Sequence, residues 1–167
     1  MATRIAPSRY KDQPAITLET AHVRAQFLPS IGGKLCTLTS LDHDFDVLVH
    51  RPGETYRMQP YDGVYVDGEC SGFDDMFPTI DACHCENAPW RGTPLPDHGE
   101  VWSLPWQHTI EGERLRMTVH GVRLPYRLEK TAYFADAHTL RIDYTLSNLS
   151  PFPFDYLWAA HPMLMLD

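Results

Sequence analysis

Apolar and polar positions alternate along most of this chain with the period of a strand rather than of a helix. Val23, Ala25 and Phe27 share one face of a run from His22 to Leu28 that stops at Pro29. Ile31-Gly32-Gly33 then reads as a turn, with Lys34 to Leu41 as the second arm of a hairpin. After a turn from Asp42 to Asp46, Val47 to Val49 is a short strand. Further on, Gln107 to Ile110 meets the turn Glu111-Gly112-Glu113, and Leu115, Met117 and Val119 alternate with Arg116, Thr118 and His120. Tyr126 to Phe134 alternates less strictly, whereas Leu140, Ile142, Tyr144 and Leu146 form the cleanest period-2 run. Phe154, Tyr156 and Trp158 share a face that leads to His161-Pro162. No stretch has a helical period and none repeats. The pattern predicts an all-β fold, an antiparallel β-sandwich over residues 15–167, preceded by a flexible leader over residues 1–14.

Two stretches break the alternation. From Arg51 to Pro96 prolines and glycines recur without a period, and a loop of that length inside a compact domain is usually functional or disordered. Its aromatics, Tyr56, Tyr61, Tyr65, Phe73, Phe77 and Trp90, argue for order. The second stretch, Asp97 to Trp106, places an imidazole, a carboxylate and two indoles where loop gives way to an expected strand. On that strand Glu100, Trp102, Leu104 and Trp106 would lie on one face, a polar head followed by aromatics. Such a face suits a polyhydroxylated ligand, whose C–H surfaces stack on indole while its hydroxyls need donors and acceptors. The alternative is that the two tryptophans tuck into the core and His98 stays solvated.

Composition narrows the partners. A formal charge of −8 with no basic cluster argues against nucleic acid, and no apolar run approaches the roughly 20 residues of a membrane span. The N-terminus lacks the apolar core of a secretory signal, and four cysteines in 167 residues do not make a disulfide scaffold, so a cytoplasmic setting is expected. Cys83-His84-Cys85 has C-x-C spacing and no second pair, and Asp62, Asp67, Glu69, Asp74, Asp75 and Asp81 do not follow a calcium-loop pattern, so no metal is expected. The acidic run reads as a solvated rim. Trp158 to Leu166 is almost wholly apolar, an edge that pairing with a second protomer, as a homodimer, would cover.

Four pieces, in order, resemble the aldose 1-epimerase (galactose mutarotase-like) superfamily, and most closely its uncharacterised epimerase-like branch. They are Leu28-Pro29-Ser30-Ile31-Gly32-Gly33, Gly72-Phe73-Asp74-Asp75-Met76-Phe77-Pro78, Asp97-His98-Gly99-Glu100-Val101-Trp102, and Asn148-Leu149-Ser150 leading to His161-Pro162. The resemblance implies a large antiparallel sandwich with a small-molecule sugar in a groove on one sheet. It implies an isomerase that interconverts α and β anomers without metal or organic cofactor. His161 would protonate the ring oxygen, and His98 would bind the sugar and assist. A histidine, with a reference pKa of ~6.5, exchanges protons readily near neutral pH. Glu100, Trp102, Asp74 and Asp75 are the expected pocket-lining residues. The family's glutamate base would lie beyond Asp167, which makes this chain resemble the N-terminal half of the fold, with Glu100 the carboxylate within it that could be nominated instead. A non-catalytic carbohydrate-binding sandwich is the rival expectation, and a structural sandwich that dimerises through the apolar edge a third.

Overall fold

The computed structural model describes residues 3–51, 53 and 55–166. It is all-β and antiparallel, with two sheets packed face to face. The first sheet begins with β1 (Arg4–Tyr10), β2 (Gln13–Glu19), β3 (Val23–Leu28) and β4 (Lys34–Ser40), with the two-residue β5 (Phe45–Asp46) beside β4. Next to β4 comes β6 (Phe73–Met76), and the order in this sheet is completed by a strand from the C-terminal end of the chain, Ala159–Pro162. A ribbon of β7 (Cys83–His84) and β8 (Pro94–Leu95) stands apart. The second sheet is built from β9 (Gln107–Glu111), β10 (Arg114–His120), β11 (Tyr126–Phe134) and β12 (Leu140–Asn148), in the order β12-β11-β10-β9. The strand Ala159–Pro162 is β13.

Alternation does the sorting that the sequence pattern predicts. On β10, Leu115, Met117 and Val119 are buried, and on β11 Tyr126, Leu128, Ala132 and Phe134 are buried. These meet Ile16, Leu18, Ala25 and Phe27 of the first sheet in one core. Burying such side chains is the main favourable contribution to folding, about 1.5–3 kcal/mol for each large one.

Several expectations are corrected. Residues 4–14 of the expected leader, whose first two residues lie outside the described ones, are instead β1 and the start of β2, paired from Arg4↔Glu19 to Tyr10↔Gln13. Arg4–Tyr10 has no apolar alternation because it is an edge strand with no buried residue, held largely by backbone hydrogen bonds. The short strand expected at Val47 to Val49 is displaced to β5, although Leu48 makes an isolated bridge to Leu164. The strand expected from Glu100 is a 3-10 turn at Val101–Ser103, so Glu100 and Trp102 do not alternate along a strand. Trp102 and Trp106 are buried, and the Trp106 Nε1 donates to the Val101 carbonyl at 3.0 Å. Asp74 and Asp75 are not a solvated rim, each being about 1% exposed.

Glu100 accounts for the turn. It is fully buried, and four donors converge on its carboxylate. Oε1 accepts from the Tyr61 hydroxyl at 2.6 Å and the Arg123 amide at 2.8 Å. Oε2 accepts from the Tyr126 hydroxyl at 2.8 Å and the Val122 amide at 3.2 Å. Burial and the adjacent carboxylate push the Tyr126 phenol far above its ordinary range, so it stays a donor. Replacing Glu100 with alanine strands these donors, and chemical denaturation should show a loss of about 3–5 kcal/mol, a severity a surface residue would not produce.

Asp46 on β5 offers a pH-dependent test. Burial raises its pKa, but hydrogen bonds from His50, the Leu48 and Leu38 amides and Thr39 outweigh that and hold the carboxyl below its ordinary value. A depressed folded-state value contributes stability above the unfolded pKa of ~3.9, which is lost as pH falls through the folded value. Asp46→Asn should therefore cost stability at neutral pH, and its gap from the parent in urea titrations should close as pH drops below about 4.

Candidate active site

The last two strands of the first sheet, β6 and β13, set the site. β13 runs antiparallel to β6 with His161 directly opposite Asp74, so the imidazole and carboxylate rise from one face of adjacent strands. Asp74 is buried, and its Oδ2 lies 2.9 Å from Lys34 Nζ. Lys34, at the start of β4, is also buried and donates to the Glu69 carbonyl at 2.6 Å and the Ser71 carbonyl at 2.8 Å. That ammonium is thereby tied at three points, which a charge in the interior requires.

Tyr65, in the 3-10 turn Tyr65–Asp67, joins this base to the histidines. Its hydroxyl donates to Asp74 Oδ2 at 2.9 Å and lies 3.3 Å from His161 Nδ1. A phenol has one proton, and burial followed by the Asp74 charge pushes the Tyr65 pKa far above the ordinary range. With that proton given to Asp74, the contact to His161 requires Nδ1–H to donate to the phenol oxygen. The network therefore assigns the Nδ1–H tautomer to neutral His161.

The Tyr65 ring also organises its neighbours. His98 stacks on it at 4.0 Å between centroids with the planes 6° apart, while Trp102 meets it edge-on at 5.1 Å and His161 at 5.4 Å. His98 and His161 are brought to 5.6 Å between ring centroids, nearly perpendicular. His98 has a positive φ of 58° and Gly99 one of 74°. A side chain on Gly99 would collide with the Phe77 backbone, so only glycine fits the close approach that turns His98 toward Tyr65. Asp97 Oδ1 lies 2.8 Å from His98 Nδ1, and Trp102 Nε1 donates to the Asp97 carbonyl at 3.2 Å.

Of the six residues picked from sequence, His98, His161, Asp74 and Trp102 thus come together around Tyr65. Asp75 and Glu100 do not. Asp75 points from the opposite face of β6 into the space between the sheets, where Lys130 Nζ lies 2.7 Å away and Trp158 Nε1 donates at 3.3 Å. A cleft of about 310 Å³ nearby is lined by Phe77, Leu128, Tyr144, Leu146, Tyr156 and Trp158, and is apolar. Glu100 is committed to its own donors. Tyr65 and Lys34 are the members sequence reasoning missed. Tyr65 stood among the loop aromatics without a distinguishing spacing, and Lys34 followed the glycine turn as an ordinary strand residue.

No protein-family model and no curated protein matches this chain. Among solved structures it resembles the 4-alpha-glucanotransferase of Thermococcus litoralis, at 15% identity and a TM-score of 0.57 over 91% of this chain and 26% of that one. It thus spans about a quarter of the glucanotransferase, and the likeness is one of fold. A protein designated HI1317 aligns at 15% identity and a TM-score of 0.45, over 80% of this chain and 57% of that one. A TPR-domain containing protein from Parabacteroides distasonis aligns at 19% identity and a TM-score of 0.41, over 74% and 19% of the two chains. Among the described residues no helix is long and apolar enough to cross a membrane.

Tyr65→Phe removes the one hydroxyl between Asp74 and His161. Side-chain ¹⁵N spectra should show His161 as the Nδ1–H tautomer in the parent and a shift toward Nε2–H in the variant. Unfolding should become easier by about 1–3 kcal/mol, because Asp74 loses a buried donor.

Proposed function

We propose that this chain carries the acid-bearing part of an aldose 1-epimerase-like site, in which His161 is the general acid and His98 the sugar-binding partner. The observation that supports this is the pair of imidazoles 5.6 Å apart, with His161 held through Tyr65 and Asp74 to buried Lys34. In the reaction, protonated His161 Nε2 gives its proton to the ring oxygen as the anomeric hydroxyl loses one. The bond from C1 to the ring oxygen breaks and an open aldehyde forms. Rotation about C1–C2 presents the other carbonyl face, and the reverse proton transfers close the ring as the other anomer. The Tyr65 contact occupies Nδ1, so proton exchange with the sugar runs through Nε2.

The proton from the anomeric hydroxyl needs an acceptor, and among the described residues His98, with Asp97 beside its Nδ1, is the group next to His161 able to take it. Stacking of His98 on Tyr65 fixes the ring plane. That the chain's fold recurs in a glucanotransferase is compatible with a sugar-related role. The second reading is a carbohydrate-binding sandwich without turnover. It is favoured by the internal commitment of Glu100, which leaves no glutamate opposite His161 among the described residues.

Anomer exchange measured by NMR on free and phosphorylated aldoses separates the two. For an epimerase, exchange exceeds the spontaneous rate, and His161→Asn lowers the enzymatic part by a factor of about 100 or more. Sugar resonances that shift on binding while exchange stays at the spontaneous rate would replace the enzyme by the binding module. If neither occurs, both readings fall.

A further inference from the structure

At one end of the sandwich, three turns bring together side chains that the sugar site does not use. His22 lies between β2 and β3, Asp42 follows β4, and His138 lies between β11 and β12, so two come from the first sheet and one from the second. His22 Nδ1 is 2.9 and 3.0 Å from the two Asp42 oxygens. The His22 and His138 rings face each other at 4.3 Å between centroids, 30° from parallel. One ligand atom from each of the three residues lies within 4.8 Å of the other two.

The backbone beneath this cluster is held in place. Thr20 Oγ1 donates to the Ala137 carbonyl at 2.7 Å, joining the two sheets one residue before His138. The same oxygen accepts from the His22 amide at 3.1 Å and the Val23 amide at 3.0 Å. Leu41 donates to the His22 carbonyl at 2.8 Å, fixing the turn that carries Asp42, and the His138 amide donates to Asp136 at 2.8 Å. Core packing does not explain the facing rings, since His138 and Asp42 are exposed and His22 only half-buried. A set of ligands whose backbones are already ordered loses little conformational freedom on capturing an ion.

We propose that His22, Asp42 and His138 form a divalent transition-metal site that staples the two sheets at this end. Two imidazoles and one carboxylate are a nitrogen-rich set, which suits Zn(II) and its neighbours Co(II) and Ni(II) and disfavours Ca(II) and Mg(II), whose sites are built from oxygen. Ligands bound at ~2.1 Å around a tetrahedral ion lie about 3.4 Å from one another. The present spacing, within 4.8 Å, closes to that when the two facing imidazoles turn so that their in-plane lone pairs converge, and water would fill the fourth position. The site shares no residue with the histidine pair around Tyr65 and does not depend on the sugar reading. It is also distinct from Cys83-His84-Cys85, whose thiols lie on the separate ribbon.

The test is titration of the full chain, without affinity tag and stripped with chelator, using ZnCl₂ followed by calorimetry and thermal unfolding. One equivalent should bind saturably, and the melting temperature should rise by about 5–10 °C at a hundredfold excess over Kd. His138→Ala and Asp42→Asn should each weaken binding on the order of 100-fold while leaving the metal-free melting temperature unchanged, since both side chains are exposed. Binding should persist in a Cys83→Ser/Cys85→Ser variant, and the Co(II) form should absorb in the visible without the intense near-ultraviolet band of thiolate ligation. Absence of saturable binding overturns the proposal. So does binding that survives His138→Ala or disappears with the cysteines.

Discussion

The register of β6 is the constraint on which the site depends. Its two central residues are adjacent carboxylates, and alternation sends them to opposite faces of the sheet, where each is buried against a lysine. Lys34 comes from neighbouring β4, and Lys130 from β11 of the facing sheet. Buried ion pairs add little net stability, because desolvation offsets their attraction, but losing one partner leaves a charge that the interior cannot solvate. A one-residue slip of β6 would exchange the two aspartates between faces and detach both from their lysines. The contacts β6 makes with β4 are too few to set its position by themselves, the pairing being limited to Leu35↔Phe73. Backbone pairing with β13 and the Phe77↔Gly99 bridge hold it as well, and the two ion pairs add to them. His161 follows, since it stands opposite Asp74 across β13, and Tyr65 follows through its hydrogen bond to the same carboxylate.

His98 reaches the same place by a different route. Its turn is held against Phe77, the residue after β6, through the bridge to Gly99 and the Glu100 amide bond to the Phe77 carbonyl at 2.7 Å. The left-handed conformation of a non-glycine residue costs on the order of 1 kcal/mol and persists only where surrounding contacts over-determine it. Glu100 supplies much of that determination, four donors holding the segment that immediately follows. A carboxylate expected to face a ligand thus acts from inside the protein, by keeping the His98 turn in position.

Legibility in the sequence followed the physics of each element. Strands with one buried face, such as β10 and β11, were readable because burial enforces alternation. β1 was not, because an edge strand with no buried side chain leaves no such imprint. The alternation of Glu100, Trp102, Leu104 and Trp106 misled, since a 3-10 turn and the residues flanking it can bury Glu100, Trp102 and Trp106 as well as a strand can. His98 and His161 were legible through short motifs, and Asp74 through the loop motif beside them. What joins them was not: Tyr65 and His161 are separated by 96 positions, and Lys34 meets Asp74 only when β4 and β6 pair. Partnerships at that range arise from topology, and a local pattern carries no trace of it.

The site combines partners of unequal stability. Asp74, Lys34 and Tyr65 are buried, whereas His161 lies on a four-residue strand at the end of its sheet, flanked by exposed Leu157, Trp158, Leu164 and Met165. Local opening starts where few apolar contacts are lost, so β13 is the element expected to detach before the core does. Detachment removes the imidazole from Tyr65 while leaving the lysine, carboxylate and phenol in place. The fraction of molecules with His161 docked is therefore set by how well β13 holds to β6, and that equilibrium is separate from global unfolding. A strand added to the free edge of β13 would cover its unpaired backbone groups and favour the docked state. Docking of His161 against Tyr65 is in this way tied to a short strand at the end of its sheet, while the lysine, carboxylate and phenol it meets are built into the core.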